Sequence, residues 1–500
     1  MQAKYFATIL LFVCLATSGN STNYYVSNSG NDDNSGLSMD LAFETLQNTV
    51  DIVAAGDTVF VENGIFAGFD IRDVNGTSSN PIVYFAIDHN VLIDKKGPIR
   101  DDGINIENAD YIVIDGFIVN NMLGNGNGIR VVLSDFCEVR NCSCDNNAER
   151  GIFTGFTDDI LIENNICTNS IDEHGIYVSN SSDRPIVRYN ECYGNNGIGI
   201  HMNGDLSAGE DGINHDAEIY GNYLHDNNQA AGINLDGVLN PIIYNNIIVN
   251  NHSAQGIALF QGDGAIVTSG AKIYNNTIIV PEDGRWGILL KEGANENTEI
   301  YNNIIINLHA WRGSIAAENL SGLQCNFNIL SNKMSADGDG SAITFSDWQG
   351  LGFGSNSLLA DSPGSLFVDP DNDNYHLSDN SQAIDVGSDL VSNIVYYDFD
   401  LNDRPNGVNY DIGAFEFLHP NITHQENLVD FELFPNPSSG KLYIKAEREI
   451  ESIILYSLLG DKIQALNREY LNELDLDSGV YMVVVRWKGQ EYSNKMLIVQ

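Results

Sequence analysis

The residues best suited to chemistry lie in one stretch of the chain. They are Arg150, His174, Tyr177 and His201, followed by the carboxylate of Asp205. A histidine exchanges a proton near neutral pH, a tyrosine hydroxyl can donate one, and an arginine neutralises an anionic group. These side chains predict acid–base chemistry on a substrate that carries negative charge, provided that the fold brings them together.

A sequence repeat predicts how they come together. The tetrad Gly-Ile-x-apolar recurs roughly every 24 residues, with two longer steps and one polar fourth residue (Thr154), at Gly103, Gly128, Gly151, Gly175, Gly199, Gly232, Gly256 and Gly287. Between the tetrads lie apolar runs around paired asparagines, as in PIIYNNIIVNN. Short strands at this period, without helical periodicity, predict an all-β fold, a right-handed parallel β-helix with coils about 4.8 Å apart. We expect the asparagines to hydrogen-bond up the stack as a ladder.

The tetrads define columns of side chains. The Ile and the fourth residue should point inward, while the third residue and the one after the tetrad should point outward. The first outward column contains Asn105, Arg130, Phe153, Tyr177, His201, Asn234, Ala258 and Leu289. The second contains Glu107, Val132, Gly155, Ser179, Asn203, Asp236, Phe260 and Lys291. Residues at the corner before the strands include Arg150, His174, Gln255 and Trp286.

The middle of these columns predicts a groove. Adjacent rungs should place their side chains about 5 Å apart, near hydrogen-bonding reach. The residues expected side by side are Tyr177, His201, Asn203, Asn234 and Asp236, with Arg150 and His174 at the rim. The segments 205–216 and 261–271 lengthen two coils and should project from the same side as walls. An open groove on a rigid coil suits a linear polymer such as a polysaccharide, with Trp286 among the rings that would stack on sugars.

We predict that this groove cleaves a uronate polysaccharide by β-elimination. The reaction needs a base, an acid for the leaving oxygen and neutralisation of the substrate carboxylate. His201 is the expected base, with Tyr177 as the acid or as the base in its place. Charge neutralisation is assigned to Arg130, Arg150 or Lys291, directly or with Ca²⁺ held by Asp205 or Asp236. His174 is grouped with the catalytic residues, and the further substrate contacts are Asn203, Asn234, Asp236 and Trp286.

Other interpretations remain open at this stage. A glycoside hydrolase would use paired carboxylates, for which Asp205, Asp211, Asp216 and Asp236 are available. An epimerase would begin with the same proton abstraction as a lyase, and a carbohydrate-binding adhesin would need no catalysis. An outward histidine such as His201 is usually only solvated. Arg130 and Arg150 have structural partners on offer in Glu107, Glu149 and Asp172.

Charge and cysteine usage restrict the partners. The formal net charge of −44 disfavours binding to nucleic acid and to anionic lipid. No apolar run after the amino-terminal one reaches the length of a membrane span.

After Cys14, six cysteines remain, without a zinc-binding pattern, and Cys167 and Cys192 at matching repeat positions favour stacked core thiols. The loops 369–374 and 398–403 are oxygen-rich but lack the EF-hand pattern, which favours structural turns. We expect a monomer.

The ends of the repeat region carry a resemblance. Residues 1–18 have the pattern of a secretory signal peptide. The apolar spacing in residues 41–57 predicts a helix that caps the first coil. The opening YYVSNSGNDDNSG and the ending DFDLNDRPNGVNYDIGAFEF resemble those of secreted bacterial parallel β-helix proteins, many of which degrade polysaccharides. This resemblance covers residues 23–417 and implies the fold but not a particular reaction.

The chain changes character after a polar linker at residues 418–430. Residues 431–500 alternate short strands and turns, which predicts a small β-sandwich. FPNPSSG, YSLLGDKI, SGVY and KMLIV within it resemble the C-terminal sorting domain of the type IX secretion system. The resemblance implies recognition by that secretion machinery, export through the outer membrane, loss of the tail, and a secreted or cell-surface location. The chemistry is then expected in the β-helix.

Overall fold

The computed structural model describes residues 21–291 and 293–418 and the strands of the C-terminal region. The predicted signal peptide lies outside the described residues, as does the linker beyond residue 418. The chain divides into two compact units between Phe417 and Leu418, and each is described by itself below. None of the described helices is long and apolar enough to cross a membrane.

The first unit is a right-handed parallel β-helix whose coils each contribute a strand to three sheets in turn. Sheet 1 contains Asn23–Val26, Thr58–Val61, Ile82–Ala86, Ile112–Asp115, Glu138–Arg140, Leu161–Glu163, Ile186–Arg188, Glu218–Tyr220, Ile242–Tyr244, Lys272–Tyr274, Glu299–Tyr301 and Gln324–Asn326. Sheet 3 contains Gly64–Ala67, Val91–Lys95, Phe117–Asn120, Ser143–Asp145, Ile166–Thr168, Glu191–Tyr193, Tyr223–His225, Ile247–Val249, Thr277–Val280, Ile304–Asn307, Ile329–Leu330 and Leu358–Leu359. Sheet 2 contains Phe69–Arg72, Ile104–Glu107, Ile129–Val132, Ile152–Gly155, Ile176–Ser179, Ile200–Asn203, Ala230–Asp236, Ala254–Phe260, Ile288–Leu290, Ile315–Ala317 and Met334–Ser335. The chain runs from sheet 1 to sheet 3 to sheet 2 in each coil.

The remaining elements are short. Two-stranded pairs join Asn214–His215 to Val238–Leu239 and Phe367–Asp369 to Asn374–Leu377. The α-helices are Gln47–Val50, Phe345–Gly350 and Pro363–Leu366, and the 3₁₀ helices are Met39–Leu41, Ile87–His89, Leu206–Ala208, Pro370–Asn372 and Asp389–Val391. In the second unit, Phe431–Phe434 pairs with Tyr443–Ala446, and a four-stranded antiparallel sheet has the order Lys462–Leu466, Ile450–Ser457, Gly479–Trp487, Tyr492–Val499.

The register of sheet 2 confirms the predicted columns. His201 pairs with Tyr177 on one side and with Asn234 on the other. Asn203 pairs in the same way with Ser179 and Asp236. The strand Phe69–Arg72 adds a coil before the first tetrad, which the repeat did not reveal because it lacks the Gly-Ile pair.

The asparagine ladder is present and lies inside the corner between sheets 1 and 3. Each ladder asparagine donates from Nδ2 to the Oδ1 of the next, and the members are Asn165, Asn190, Asn222, Asn246, Asn276, Asn303 and Asn328. The same Nδ2 groups also donate to backbone carbonyls, such as that of Ile219 from Asn246. All are almost completely buried, so each supplies hydrogen bonds that the turn could not otherwise make.

In three Asn-Asn pairs of the repeat, the second asparagine belongs to the ladder and the first has a different structural role. Asn245, Asn275 and Asn302 adopt a left-handed conformation, with φ of 52°, 51° and 57°. Their side chains point outward and bind the segment 388–413, which returns along this corner. Asn245 donates to the carbonyl of Tyr397 (2.5 Å), and Asn302 donates to that of Ser388 (2.9 Å). The paired asparagines therefore serve both the coil and the segment that covers it.

The amino-terminal cap differs from the prediction. Residues 41–57 were expected to form one helix, yet only Gln47–Val50 is α-helical. Leu46 and Val50 are still buried against the first coil, so the apolar spacing describes the packing correctly. The helix ends early because the chain must turn at Gly56 (φ 93°) to enter the strand Thr58–Val61.

The cysteines behave as core residues. Cys144, Cys167 and Cys192 pair in successive strands of sheet 3. All six cysteines of the described residues are free and buried, which confirms the prediction of stacked thiols. Burial raises the pKa of the Cys137 thiol to about 12, so it remains protonated and unreactive.

The ladder makes a stability prediction. Asn246→Ala removes the acceptor of Asn222 and leaves the carbonyl of Ile219 without its donor. Because both groups stay buried, we expect the free energy of unfolding to fall by roughly 2–4 kcal/mol. Chemical denaturation followed by circular dichroism measures this loss.

Asn250→Gly is the matched control. Asn250 is exposed in a left-handed turn (φ 52°), a conformation that glycine adopts without strain. We expect a change within about 0.5 kcal/mol. Equal losses in the two variants would contradict the assigned role of the ladder.

Candidate active site

The candidate site lies on the outer face of sheet 2, in the strands Ile176–Ser179, Ile200–Asn203 and Ala230–Asp236. The two long insertions follow this face and touch each other, since the backbone N–H of Leu206 donates to the carbonyl of Asp263 (2.9 Å). The corner from sheet 3 lies on the other side of the strands and carries Arg150 and His174. The strands therefore lie between the insertions and this corner.

A hydrogen-bonded relay crosses this face. His201 Nδ1 lies 3.0 Å from His174 Nε2, and His201 Nε2 lies 3.0 Å from Asp236 Oδ2. His174 Nε2 also lies 2.9 Å from Glu173 Oε2. The result is a carboxylate–imidazole–imidazole–carboxylate series across neighbouring coils. His201 is 9% exposed, so it is not the solvated surface histidine of the alternative interpretation.

The relay fixes the tautomers of both imidazoles. The backbone N–H of Ile198 donates to His174 Nδ1 (3.0 Å), so the ring proton of His174 is on Nε2. Burial lowers the pKa of His174 to about 4, so this ring is neutral at neutral pH. His201 Nδ1 then faces an N–H and carries no proton, while its Nε2–H donates to Asp236. A base with one nitrogen held by a carboxylate and the other unprotonated is the arrangement for proton abstraction.

Tyr177 lies directly against His201. Their rings stack with centroids 4.6 Å apart and an interplanar angle of 8°. The Tyr177 hydroxyl accepts a hydrogen bond from Asn203 Nδ2 (3.2 Å), so its own proton is available for donation. Burial raises the pKa of Tyr177 above its ordinary value and keeps the hydroxyl protonated at neutral pH.

Arg150 supplies positive charge beside this pair. Its guanidinium lies 5.0 Å from the centre of the Tyr177 ring and 5.2 Å from that of Phe153. Glu149 and Glu173 lie 3.2 and 3.5 Å from its terminal nitrogens. Arg150 therefore has the structural partner Glu149 that the alternative interpretation foresaw, and it still borders the candidate acid.

Asp236 accepts two hydrogen bonds at the same carboxylate oxygen. Oδ2 accepts from His201 and from Asn234 Nδ2, the latter at 3.0 Å. Asn203 uses its second amide atom, Oδ1, to accept the backbone N–H of Asp205 (3.1 Å). The structure thus brings together all five residues expected side by side, with Arg150 and His174 at their rim.

Three predicted site residues lie apart from this cluster. Arg130 is ion-paired with Glu107 (2.8 Å) and bonded to Asn105 (2.7 Å) near the amino-terminal coils, which agrees with the structural alternative. Lys291 is paired with Glu318 (2.6 Å). Trp286 is fully buried and its indole N–H donates to Asp339 (2.6 Å), so, contrary to the prediction, its ring offers no face to a sugar. The Gly-Ile repeat placed it at a corner but could not show that a later segment covers it.

The described residues contain no cluster of metal-binding side chains at the predicted calcium site. Asp205 caps the short helix Leu206–Ala208, and its Oδ1 accepts from the N–H and the hydroxyl of Ser207 (3.1 and 2.6 Å). Among the described residues, no group of three or more His, Cys, Asp or Glu side chains is placed to hold a metal. Ca²⁺ binding by Asp205 and Asp236 stays a prediction.

One member of the relay was missed by sequence reasoning. Glu173 binds the imidazole of His174, and this hydrogen bond lowers the pKa of Glu173. The one sequence feature that could have indicated Glu173 is its position directly before His174. In a chain rich in acidic residues, a carboxylate at that position does not stand out. The repeat marks columns within strands, whereas Glu173 belongs to a corner where side-chain direction does not follow the repeat.

The neutral state of His174 makes a pH prediction. Its pKa is lowered in the folded state relative to about 6.5 in the unfolded chain, so the unfolded state binds its proton first on acidification. The stability that this group contributes is present above pH 6.5 and is lost as pH falls toward 4, by up to about 3 kcal/mol. Urea titrations at steps across this range measure it. We expect His174→Gln to flatten this part of the profile, and an unchanged slope in that variant would contradict a buried neutral His174.

Comparisons with known proteins agree with this fold. The family described as "Periplasmic copper-binding protein (NosD)" matches residues 50–258, which is less than half of the chain. The family described as "Secretion system C-terminal sorting domain" matches residues 432–500. None of the curated proteins matches the chain in sequence.

Among solved structures, the pectate lyase Pel9A superimposes with a TM-score of 0.53 at 16% identity, covering 80% of this chain and 97% of that one. The surface adhesin PfbA of Streptococcus pneumoniae has a TM-score of 0.46 at 11% identity, covering 57% and 80%. The mannuronan C-5 epimerase AlgE6 A-module of Azotobacter vinelandii has a TM-score of 0.41 at 14% identity, covering 63% and 94%. Likeness at such identities concerns the fold and does not identify a reaction. The chain is a secreted right-handed parallel β-helix protein that resembles the pectate lyase Pel9A in fold, and its residues 432–500 match a secretion-system C-terminal sorting domain.

Proposed function

We propose that this protein is a polysaccharide lyase that cleaves a uronate-containing polymer by β-elimination. The observation that carries the proposal is the parallel stack of Tyr177 on His201, which puts a phenol ring on an imidazole ring whose Nδ1 accepts from His174. β-Elimination removes a proton from the carbon next to the carboxylate and releases the oxygen on the adjacent carbon. Ring centroids 4.6 Å apart put an acid and a base on adjacent rungs, and both can face one sugar unit of the substrate.

His201 is the proposed base. The substrate hydrogen approaches Nδ1 and replaces the contact with His174, whose Nε2–H then donates to Glu173 alone. The imidazolium that forms is stabilised by Asp236 at the other nitrogen. His174 and Glu173 are positioning residues in this scheme, because they act on the substrate only through His201.

Tyr177 is the proposed acid. Its hydroxyl gives its proton to the departing oxygen, and the bond from Asn203 stabilises the phenolate that remains. The guanidinium of Arg150 beside the ring favours the same charged form. Arg150 is also the proposed partner for the uronate carboxylate, with Ca²⁺ at Asp205 and Asp236 as a further proposal for this task.

The proposal predicts the behaviour of two variants. Tyr177→Phe keeps the stacked ring and removes the hydroxyl that would donate the proton, and His201→Ala removes the base. We expect each to lower kcat by about 10²–10⁴-fold. The assay follows the near-ultraviolet absorbance of the unsaturated product on a panel of uronate polymers, with and without chelator.

Two matched variants serve as controls. Tyr193→Phe loses a hydroxyl on sheet 3, and His376→Ala removes an exposed imidazole on the strand Asn374–Leu377. Both should keep full activity. New reducing ends without the near-ultraviolet absorbance of an unsaturated product would indicate hydrolysis instead. Uronate units of inverted configuration in an intact polymer would indicate epimerisation. Binding of the polymer without any product would indicate an adhesin. Each of these results, or full activity of Tyr177→Phe and His201→Ala, would contradict the proposal.

A further inference from the structure

A concave site lies on a face of the same coils away from sheet 2. It is a pocket of about 280 Å³ at the corner where sheet 1 leads into sheet 3, and we call it the tyrosine pocket. The residues that matter here are Arg188, Tyr189, Tyr220, Tyr244, Tyr396 and Tyr397. The candidate active site uses none of them, because its residues lie on sheet 2 and at the corner before it.

The rings of this pocket form a fixed frame. Tyr220 and Tyr244 stack with centroids 4.5 Å apart and an interplanar angle of 13°. Tyr189 meets Tyr220 edge-on, at 5.5 Å and 84°. Tyr220 and Tyr244 occupy paired positions in successive coils, so the hydrogen-bonded register holds them.

The opposite wall comes from the returning segment. Tyr396 and Tyr397 remain 57% and 51% exposed although they lie in a well-anchored turn. Asn245 holds the carbonyl of Tyr397 (2.5 Å), and Asp398 accepts the backbone N–H groups of Asp400 (2.9 Å) and Asn402 (2.8 Å). The exposed rings therefore project from a rigid backbone, and a ligand would find the pocket already formed.

The polar groups restrict the ligand. The Arg188 guanidinium lies 5.8 and 5.9 Å from the centres of the Tyr189 and Tyr220 rings, so a cation already occupies this aromatic corner. Arg188 is paired with Glu163 and donates to the Tyr220 hydroxyl (2.8 Å). The Arg188–Glu163 ion pair has no net charge. The net charge of −44 on the chain disfavours an anionic ligand, and the guanidinium that already lies against the rings disfavours a cationic one. A neutral ligand therefore suits the pocket best.

We propose that the tyrosine pocket is a non-catalytic binding site for a neutral pyranose residue of an extracellular glycan. Aromatic faces pack against the apolar face of a sugar ring, and the tyrosine hydroxyls and Arg188 supply donors and acceptors for its hydroxyl groups. The volume suits about one pyranose ring rather than a long chain segment. The site would hold the protein on a glycan independently of the reaction on sheet 2, and it does not depend on the proposed lyase activity.

Isothermal titration calorimetry of the whole protein tests this site. The probes are neutral hexasaccharides of glucose, xylose and mannose, titrated into the wild type and into Tyr397→Ala and Tyr244→Ala. Tyr397 is half exposed, so its removal leaves the fold intact. We expect one hexasaccharide to bind and each variant to weaken the affinity by about tenfold or more.

Two controls separate this result from other causes. Tyr193→Ala removes a tyrosine on sheet 3 outside the pocket and should bind as the wild type does. His201→Ala should also bind normally, because it alters only the sheet 2 site. Absence of binding to all hexasaccharides, or undiminished binding by both pocket variants, would overturn the proposal. Loss of lyase activity in His201→Ala bears on the other site alone.

Discussion

The hydrogen-bonded register between successive coils is the constraint on which the rest of the structure depends. In sheet 2 each residue has one partner above and one below, so a side chain's neighbours are fixed by pairing alone. A slip by one residue would turn His201 into the core and Ile200 outward. The buried asparagine ladder opposes such a slip, because every member bonds to the next at one defined position.

The same register gives one sheet three different chemical surfaces along its length. At the amino-terminal coils, Arg130 is tied to Asn105 and Glu107 in a buried polar network. At the carboxyl-terminal coils, Trp286 packs with Leu289 in an apolar cluster. In sheet 2, the coils between them present the imidazole of His201 beside the phenol ring of Tyr177. The relay can remain in this half-buried position because the nitrogens of His174 and His201 have partners, so little desolvation cost is left uncompensated.

The sequence was sufficient for the fold and for the columns, since both follow from a regular period. It therefore predicted that Tyr177, His201 and Asn234 are neighbours, together with the ladder and the stacked thiols. It could not predict what depends on irregular segments. The burial of Trp286, the role of Glu173 and the short helix at Gln47–Val50 arise from corners and ends, where direction is not set by the repeat. The outward asparagines that bind the returning segment were missed for a related reason, because the ladder already accounted for an asparagine-rich turn.

The central claim is that the hydrogen bonds between coils set the tautomer of His201, with its ring proton on Nε2 toward Asp236 and with Nδ1 accepting from His174. Nitrogen-15 NMR of histidine-labelled protein at neutral pH tests this most directly, with Asp236→Asn used to assign the His201 signals. The account predicts a protonated Nε2 and an unprotonated Nδ1 for His201, and likewise a proton on Nε2 for His174. A proton on Nδ1 of His201, or a doubly protonated ring, would contradict it.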